Sequence, residues 1–177
     1  MQKLQIQTKV TKFKIKALLW KELLYLNSYQ LVVFNLGEEE YAINISYAQE
    51  IIRIPKFTRM PNVPSFIEGI INLRGQAIPV FDLKKRFGIE VKERTSDSRL
   101  LILDIEGMKA GIIVDDVSEV IRINGGDIQV LDSEIMGISK NSIEGINIIE
   151  QRIIIILNAS NLKKEIFKYD LEKELVS

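Results

Sequence analysis

A strand–turn–strand pattern occurs twice in this chain, in the same order and at almost the same spacing. Laying residues 41–54 over residues 110–123, an offset of 69, aligns Ile43 with Ile112, Glu50 with Glu119, and Ile52-Arg53-Ile54 with Ile121-Arg122-Ile123. Farther along, Glu68-Gly69-Ile70 matches Glu144-Gly145-Ile146 at an offset of 76, and Leu83-Lys84-Lys85 matches Leu162-Lys163-Lys164 at an offset of 79. The offset grows as loop insertions would make it grow. Two copies exclude a solenoid, which needs three or more units to bury its core. They specify a duplicated unit.

Each copy reads as short strands with turns between them. Residues 30–36 are β-rich, Gly37-Glu38-Glu39 is a turn, and residues 41–45 form the return strand of a hairpin. Ser46 with Gln49 three residues on has capping-box spacing, and Ala48, Ile51 and Ile52 follow at helical spacing, so a short helix is expected there. A second hairpin runs through 69–73 and 77–81 around Arg74-Gly75-Gln76. Asp82 then caps a short helix that Gly88 stops. In the second copy, residues 99–105 and 109–114 are strands around Glu106-Gly107, and Asp115 stands where Ser46 stood, as a helix cap. Gly125-Gly126 and residues 133–141 read as loops, and 162–175 as a terminal helix. The expectation is a mainly β chain: a pair of small β-barrels with short corner helices and a C-terminal helix. Closing the sheets hides strand edges that a chain so rich in Ile and Val would otherwise expose.

Composition removes much of chemistry. At 177 residues the chain can bury roughly 70% of its unfolded surface, and 46% hydrophobic with 27% charged residues is the makeup of a soluble globule. It has no Cys and no His. Thiol nucleophiles, disulfides, Cys/His zinc sites and imidazole bases are therefore excluded. Residues 1–28 hold six lysines and one acid, Glu22, a net of +5; the rest holds 18 basic and 23 acidic groups, a net of −5. A body of that sign suits nucleic acid poorly, so no nucleic-acid partner is expected. Lys12, Lys14, Lys16 and Lys21 interrupt every candidate secretory core, and Ala17-Leu18-Leu19-Trp20 is too short to span a bilayer. The reading is a cytoplasmic protein with no membrane insertion, carrying a basic arm at 1–28 that is either loosely attached or an amphipathic helix.

Candidate catalytic groups have simpler explanations. Asp115-Asp116, with Asp104 and Glu119 near in sequence, could hold a divalent metal, but adjacent strand residues point to opposite faces and Asp at a junction is a common cap. Ser160 and Lys163 have Ser-x-x-Lys spacing without the companion motifs, and Ser160 at a helix start is again a cap. No phosphate-cradling or nucleophile-elbow motif is present. No enzyme and no cofactor are expected. Arg74 at a hairpin tip is either a solvated turn residue or a guanidinium placed to grip a partner's carboxylate. Glu50 is by default a solvated polar residue, and Ile45, Ala48 and Ile51 are by default core.

Several blocks, in order, resemble the CheW chemotaxis coupling family. They are Leu36-Gly37-Glu38-Glu39-Glu40-Tyr41-Ala42-Ile43, Gln49-Glu50-Ile51-Ile52, Thr58-Arg59-Met60-Pro61-Asn62-Val63-Pro64, and residues 66–75 with their Ile71-Asn72-Leu73-Arg74-Gly75. Pro79-Val80-Phe81-Asp82-Leu83 and Gly111-Ile112-Ile113-Val114-Asp115-Asp116-Val117 continue the match, which runs from about Tyr29 to Phe167. The resemblance implies a CheW-like domain over 29–170, between the arm and a tail at 171–177, built of two five-stranded barrels. It implies a non-enzymatic adaptor between the cytoplasmic tips of transmembrane chemoreceptors and the regulatory domain of the histidine kinase CheA. The alternative is a CheW-like scaffold for another receptor–kinase pathway, in surface motility or gene regulation. The length leaves no room for the receiver domain of the related CheV proteins, and a start at Met argues against a fragment of a kinase. Receptor-groove residues carry over to Ile45, Ala48 and Ile51, receptor-linked polar residues to Glu50 and Arg74, and a sensitive position to Gly69. Ala48 is smaller than the Val or Ile usual there, which implies a shallower groove. Kinase-contact residues cannot be carried over.

Overall fold

The computed structural model describes residues 28–130 and 140–168. The arm at 1–27, most of the expected loop at 133–141 and the end of the expected terminal helix lie outside these residues. The strands are β1 (Ser28–Leu36), β2 (Glu39–Asn44), β3 (Ala48–Arg53), β4 (Ile67–Leu73), β5 (Gln76–Asp82), β6 (Arg99–Ile105), β7 (Met108–Val114), β8 (Asp116–Asn124), β9 (Ile143–Ile149) and β10 (Arg152–Leu157). Two short helices, α1 (Leu83–Phe87) and α2 (Ala159–Ile166), follow β5 and β10. The expected mainly β architecture of two five-stranded units is what the chain adopts.

The sheet orders are β8-β1-β2-β10-β9 and β3-β6-β7-β5-β4. Replacing each strand by its repeat equivalent converts one order into the other, so the duplication seen in sequence is a structural pseudo-twofold. Neither sheet, however, is made from one copy. The first takes β1 and β2 from the first copy and β8, β9 and β10 from the second; the second sheet is the reciprocal. The copies have exchanged their first hairpins. The ladder between outer strands is not continuous in either sheet, and single antiparallel bridges, Thr58 with Ile70 and Gln129 with Ile146, reach across instead.

This exchange explains the burial pattern. Leu31, Val33, Ala42, Ile123, Ile154 and Ile156 fill the first sheet, while Ile71, Ile78, Val80, Leu100, Ile102 and Ile113 fill the second. A third and larger cluster, with Val32, Phe34, Tyr41, Leu101, Leu103, Ile112 and Ile155 among its members, joins the two sheets and takes in both helices. Central strands are thus buried on both faces and read as unbroken apolar runs such as residues 154–157 rather than alternations. Tyr41 sits in that shared core between Phe34 and Phe87, where burial pushes its phenol up to about 12.

Three local expectations need correction. Ser46 does not start a helix: residues 45–47 make one 3-10 turn, the Asn44 side chain accepts the Ser46 N–H, and Ala48 begins strand β3. Asp115 does not cap a helix either, because β8 begins at the next residue. Both positions are the crossings where the chain leaves one sheet for the other. A cap-like residue there satisfies loose backbone groups just as at a helix start, which is why the two sites look alike in sequence. At α2, the cap is Asn158, whose side chain accepts the Asn161 N–H at 3.0 Å; Ser160 lies inside the first turn. The Asp82 cap and the Gly88 stop of α1 stand as expected, Gly88 adopting φ +72°.

Candidate partner-binding site

The first crossing carries the apolar residues singled out in sequence. Ile45 is the first residue of the 3-10 turn and 36% exposed; the Ala48 N–H bonds back to its carbonyl. Residues three apart on a regular strand face opposite ways. Here the register slips between Ala48, paired with Leu103, and Glu50, paired with Ile102. The slip is a β-bulge, and it returns Ile51 to a position opposite Leu101. Leu101 and Leu103 both belong to the core between the sheets. The bulge therefore puts Ala48 and Ile51 on one face, Ala48 packed on that core and Ile51 45% exposed at its rim. The bulge, not a helix, is what turns these two side chains to one face.

Glu50 faces the other way and meets Arg74 at 3.0 Å. β3 and β4 are the two outer strands of their sheet, so this ion pair spans the gap between them. Arg74 reaches it from the β4–β5 hairpin, where Arg74 (φ +53°) and Gly75 (φ +82°) make a two-residue turn with both φ positive. Asn72 Oδ1 accepts the Gly75 N–H at 2.9 Å and holds that turn. The Arg74 side chain is 77% exposed. Most of its donors face solvent.

The other sheet also pairs this glutamate position with an arginine, but from a different place: Glu150 (φ +56°) is the repeat partner of Arg74, and Arg152 that of Gln76. Glu119, the repeat partner of Glu50, meets Arg152 at 2.8 Å, and Arg152 also makes two hydrogen bonds, of 2.9 and 2.6 Å, to Glu40. Hydrogen bonding from Arg152 holds the Glu40 carboxyl below its usual range. Arg152 is thus satisfied by two carboxylates where Arg74 has one. Nothing in the sequence near Arg152 marks this trio, because its members lie on β2, β8 and β10.

Gly69 is brought to the site region by backbone alone. It is buried at φ +146°, and a Cβ there would lie 2.1 Å from the Thr58 carbonyl oxygen. Its neighbour Ile70 exchanges two 2.8 Å hydrogen bonds with Thr58. At the equivalent Gly145, a Cβ would lie 2.7 Å from the Gln129 carbonyl oxygen, and Ile146 bonds to Gln129 in the same way. The repeated Glu-Gly-Ile is the signature of this close approach. Gly69 offers a partner no side chain.

Three of the acids weighed as metal ligands, Asp104, Asp115 and Glu119, are engaged elsewhere. Asp104 Oδ1 accepts the Gly107 N–H at 2.9 Å. Asp115 accepts the Gly37 N–H at 2.7 Å and pairs with the buried Lys84. Lys163 lies 2.8 Å from Glu106. Among the described residues no helix is long and apolar enough to cross a membrane.

The profile of the CheW-like domain matches residues 30–166. The chain belongs to that family. A CheW-like chain from Treponema pallidum, chemotaxis protein CheW, is 38% identical over 122 residues, covering 67% of this chain and 72% of that protein. Chemotaxis protein CheW of Helicobacter pylori is 33% identical over 138 residues, covering 78% and 83%. The crystal structure of scaffolding protein TtCheW from Thermoanaerobacter tengcongensis superposes with a TM-score of 0.70 at 45% identity, covering 73% of this chain and 84% of that one.

Proposed function

We propose that this chain is a non-enzymatic, cytoplasmic adaptor of chemotaxis that couples the helical tips of chemoreceptors to the histidine kinase CheA. Membership of the CheW-like family and likeness to proteins named for chemotaxis and for scaffolding support the adaptor role. The observation that carries the receptor site is the contrast between the two arginines. Arg152, two residues past the turn position that matches Arg74, spends its donors on two glutamates of the chain, whereas Arg74 is mostly solvated and holds only Glu50. An exposed pair of that kind contributes roughly 0–1 kcal/mol to stability. It is suited to exchanging partners.

A helical tip presents apolar residues at i, i+3 and i+4, and Ile45, Ala48 and Ile51 offer one apolar face to receive them. Ala48 leaves room that a Val would fill. Arg74 and Glu50 then fix the register of the docked helix more than its affinity, and Gly69 keeps the strand edge in shape beneath them. Binding two partners at once lets the assembly transmit receptor state without covalent change in the adaptor.

The test is a pull-down with CheA and with a receptor cytoplasmic fragment from the same source, comparing wild type with Arg74→Ala. The expected result is capture of both partners by wild type, with receptor capture weakened roughly tenfold and CheA capture kept in the variant. Capture of neither partner by wild type would reject this pathway and favour a CheW-like scaffold serving another receptor and kinase.

A further inference from the structure

Each sheet has an open concavity where its first outer strand runs out, and the two share one wall by repeat, Arg53-Ile54 matching Arg122-Ile123. In the first sheet the hollow, about 530 Å³, is lined by one cation, Arg122, one acid, Asp127, and the amides of Asn124, Gln129 and Asn147. In the second sheet it is about 510 Å³, and the lining is Arg53, Lys56 and Arg94 with three hydroxyl residues, Thr95, Ser96 and Ser98. No acid lines it. Arg53 is the repeat partner of Arg122; the opposite walls differ, Asn147–Ile149 on β9 in the first sheet and the segment before β6 in the second.

We infer that this second hollow is a docking site for an acidic segment of a protein partner. Three cations converge there on a body that, from residue 29 onward, is net −5. Arg53 and Lys56 are exposed and make no ion pair among the described residues. Arg94 packs 5.4 Å over the Phe57 ring and lies 3.2 Å from Glu68, which Lys85 also contacts, so two cations share one carboxylate and leave positive charge over. The Phe57 ring, held in the second core, fixes one wall. Like charges left close together without a counter-charge repel one another, and a ligand bearing two or more carboxylates removes that repulsion. The hollow's two walls, residues 53–57 on one side and residues 94–96 with Ser98 on the other, are separate stretches of chain, and Asp97 between them does not line it. Cations on both walls suit a segment with several acidic side chains better than one compact ion. This site is independent of the receptor reading: it uses neither Arg74 nor the apolar face at Ile45.

The test is an NMR titration of the full chain with a hexaglutamate peptide, with hexaglutamine, and with inorganic phosphate. Expected are saturable shifts confined to residues 53–57 and 94–98 with hexaglutamate, none with hexaglutamine, and affinity falling severalfold between low and physiological salt. The exposed double reversal Arg53→Glu/Lys56→Glu should weaken the peptide about tenfold or more at an unchanged melting temperature; should it fail to fold, the salt dependence and mapped shifts of wild type decide. Equal binding of hexaglutamine, tighter binding of phosphate than of the peptide, or absence of shifts in these segments would each overturn the proposal. The pull-down above reads the receptor site alone, so either can fail without the other.

Discussion

Arg74 occupies the left-handed region of backbone space, which costs a non-glycine L-residue roughly 1–2 kcal/mol. Its single exposed ion pair does not offset that cost. Arg74→Gly should therefore leave the melting temperature unchanged or slightly raised, while receptor capture falls as far as in Arg74→Ala. A marked loss of stability would instead make Arg74 a structural residue. Charge burial gives a second test. Glu68 is pushed up by burial, but the hydrogen bonds and charge of Lys85 and Arg94 outweigh this and hold its carboxyl below the ordinary range. Glu144, its repeat partner, has burial alone and is pushed up. A carboxyl raised by folding favours the folded state below its unfolded pKa and loses that contribution as pH rises. Glu144→Gln should thus stabilise the protein near pH 7, and the gain should vanish as pH drops through the ordinary glutamate range, near 4.5. Melting curves of both proteins against pH decide it.

At the scale of elements, the outer strands are where this fold is most exposed to error. Each sheet is finished by one backbone bridge over a glycine rather than by a full ladder. Gly69→Ala must force its Cβ against the Thr58 carbonyl and abandon a φ that alanine avoids, at a cost of roughly 3 kcal/mol. Gly126→Ala has nothing within 4 Å, so it should change stability by no more than about 0.5 kcal/mol. Urea denaturation of the pair separates the close approach from glycine content in general. Because Gly69 and Ile70 lie on β4, the strand that leads into the Arg74 turn, Gly69→Ala should lose receptor capture together with stability. Arg74 variants lose capture alone. That difference distinguishes a residue that shapes the site from one that touches the partner.

The whole molecule is held by what passes between its sheets. Asp115, at the crossing from β7 to β8, accepts the Gly37 N–H and pairs with Lys84, and its own N–H bonds to the Asn35 carbonyl at 3.0 Å. Lys84 is only 3% exposed, whereas Asp115 is 29% exposed. Asp115→Asn strands a buried ammonium and should cost roughly 3 kcal/mol. Lys84→Met leaves a carboxylate still bonded to Gly37 and open to water, and should cost less than half as much. Equal costs in urea unfolding would show that the bond itself, not the stranded charge, is what matters. From the sequence alone came the duplication, the hairpins, the short helix capped by Asp82 and, through blocks from about Tyr29 to Phe167, the family. These are local or repeated patterns, and hydrophobic spacing with turn chemistry specifies them without reference to distant chain. Tertiary structure alone decided that the copies exchange their first hairpins, that Ser46 and Asp115 mark crossings rather than helices, and that a bulge turns Ala48 and Ile51 to one face. It also decided that Arg152 meets two glutamates while Arg74 meets one and is mostly solvated. Each of these depends on which strand lies beside which, and strand pairing is set by burying apolar surface across the entire molecule, where a capping residue, a strand start and a crossing look alike.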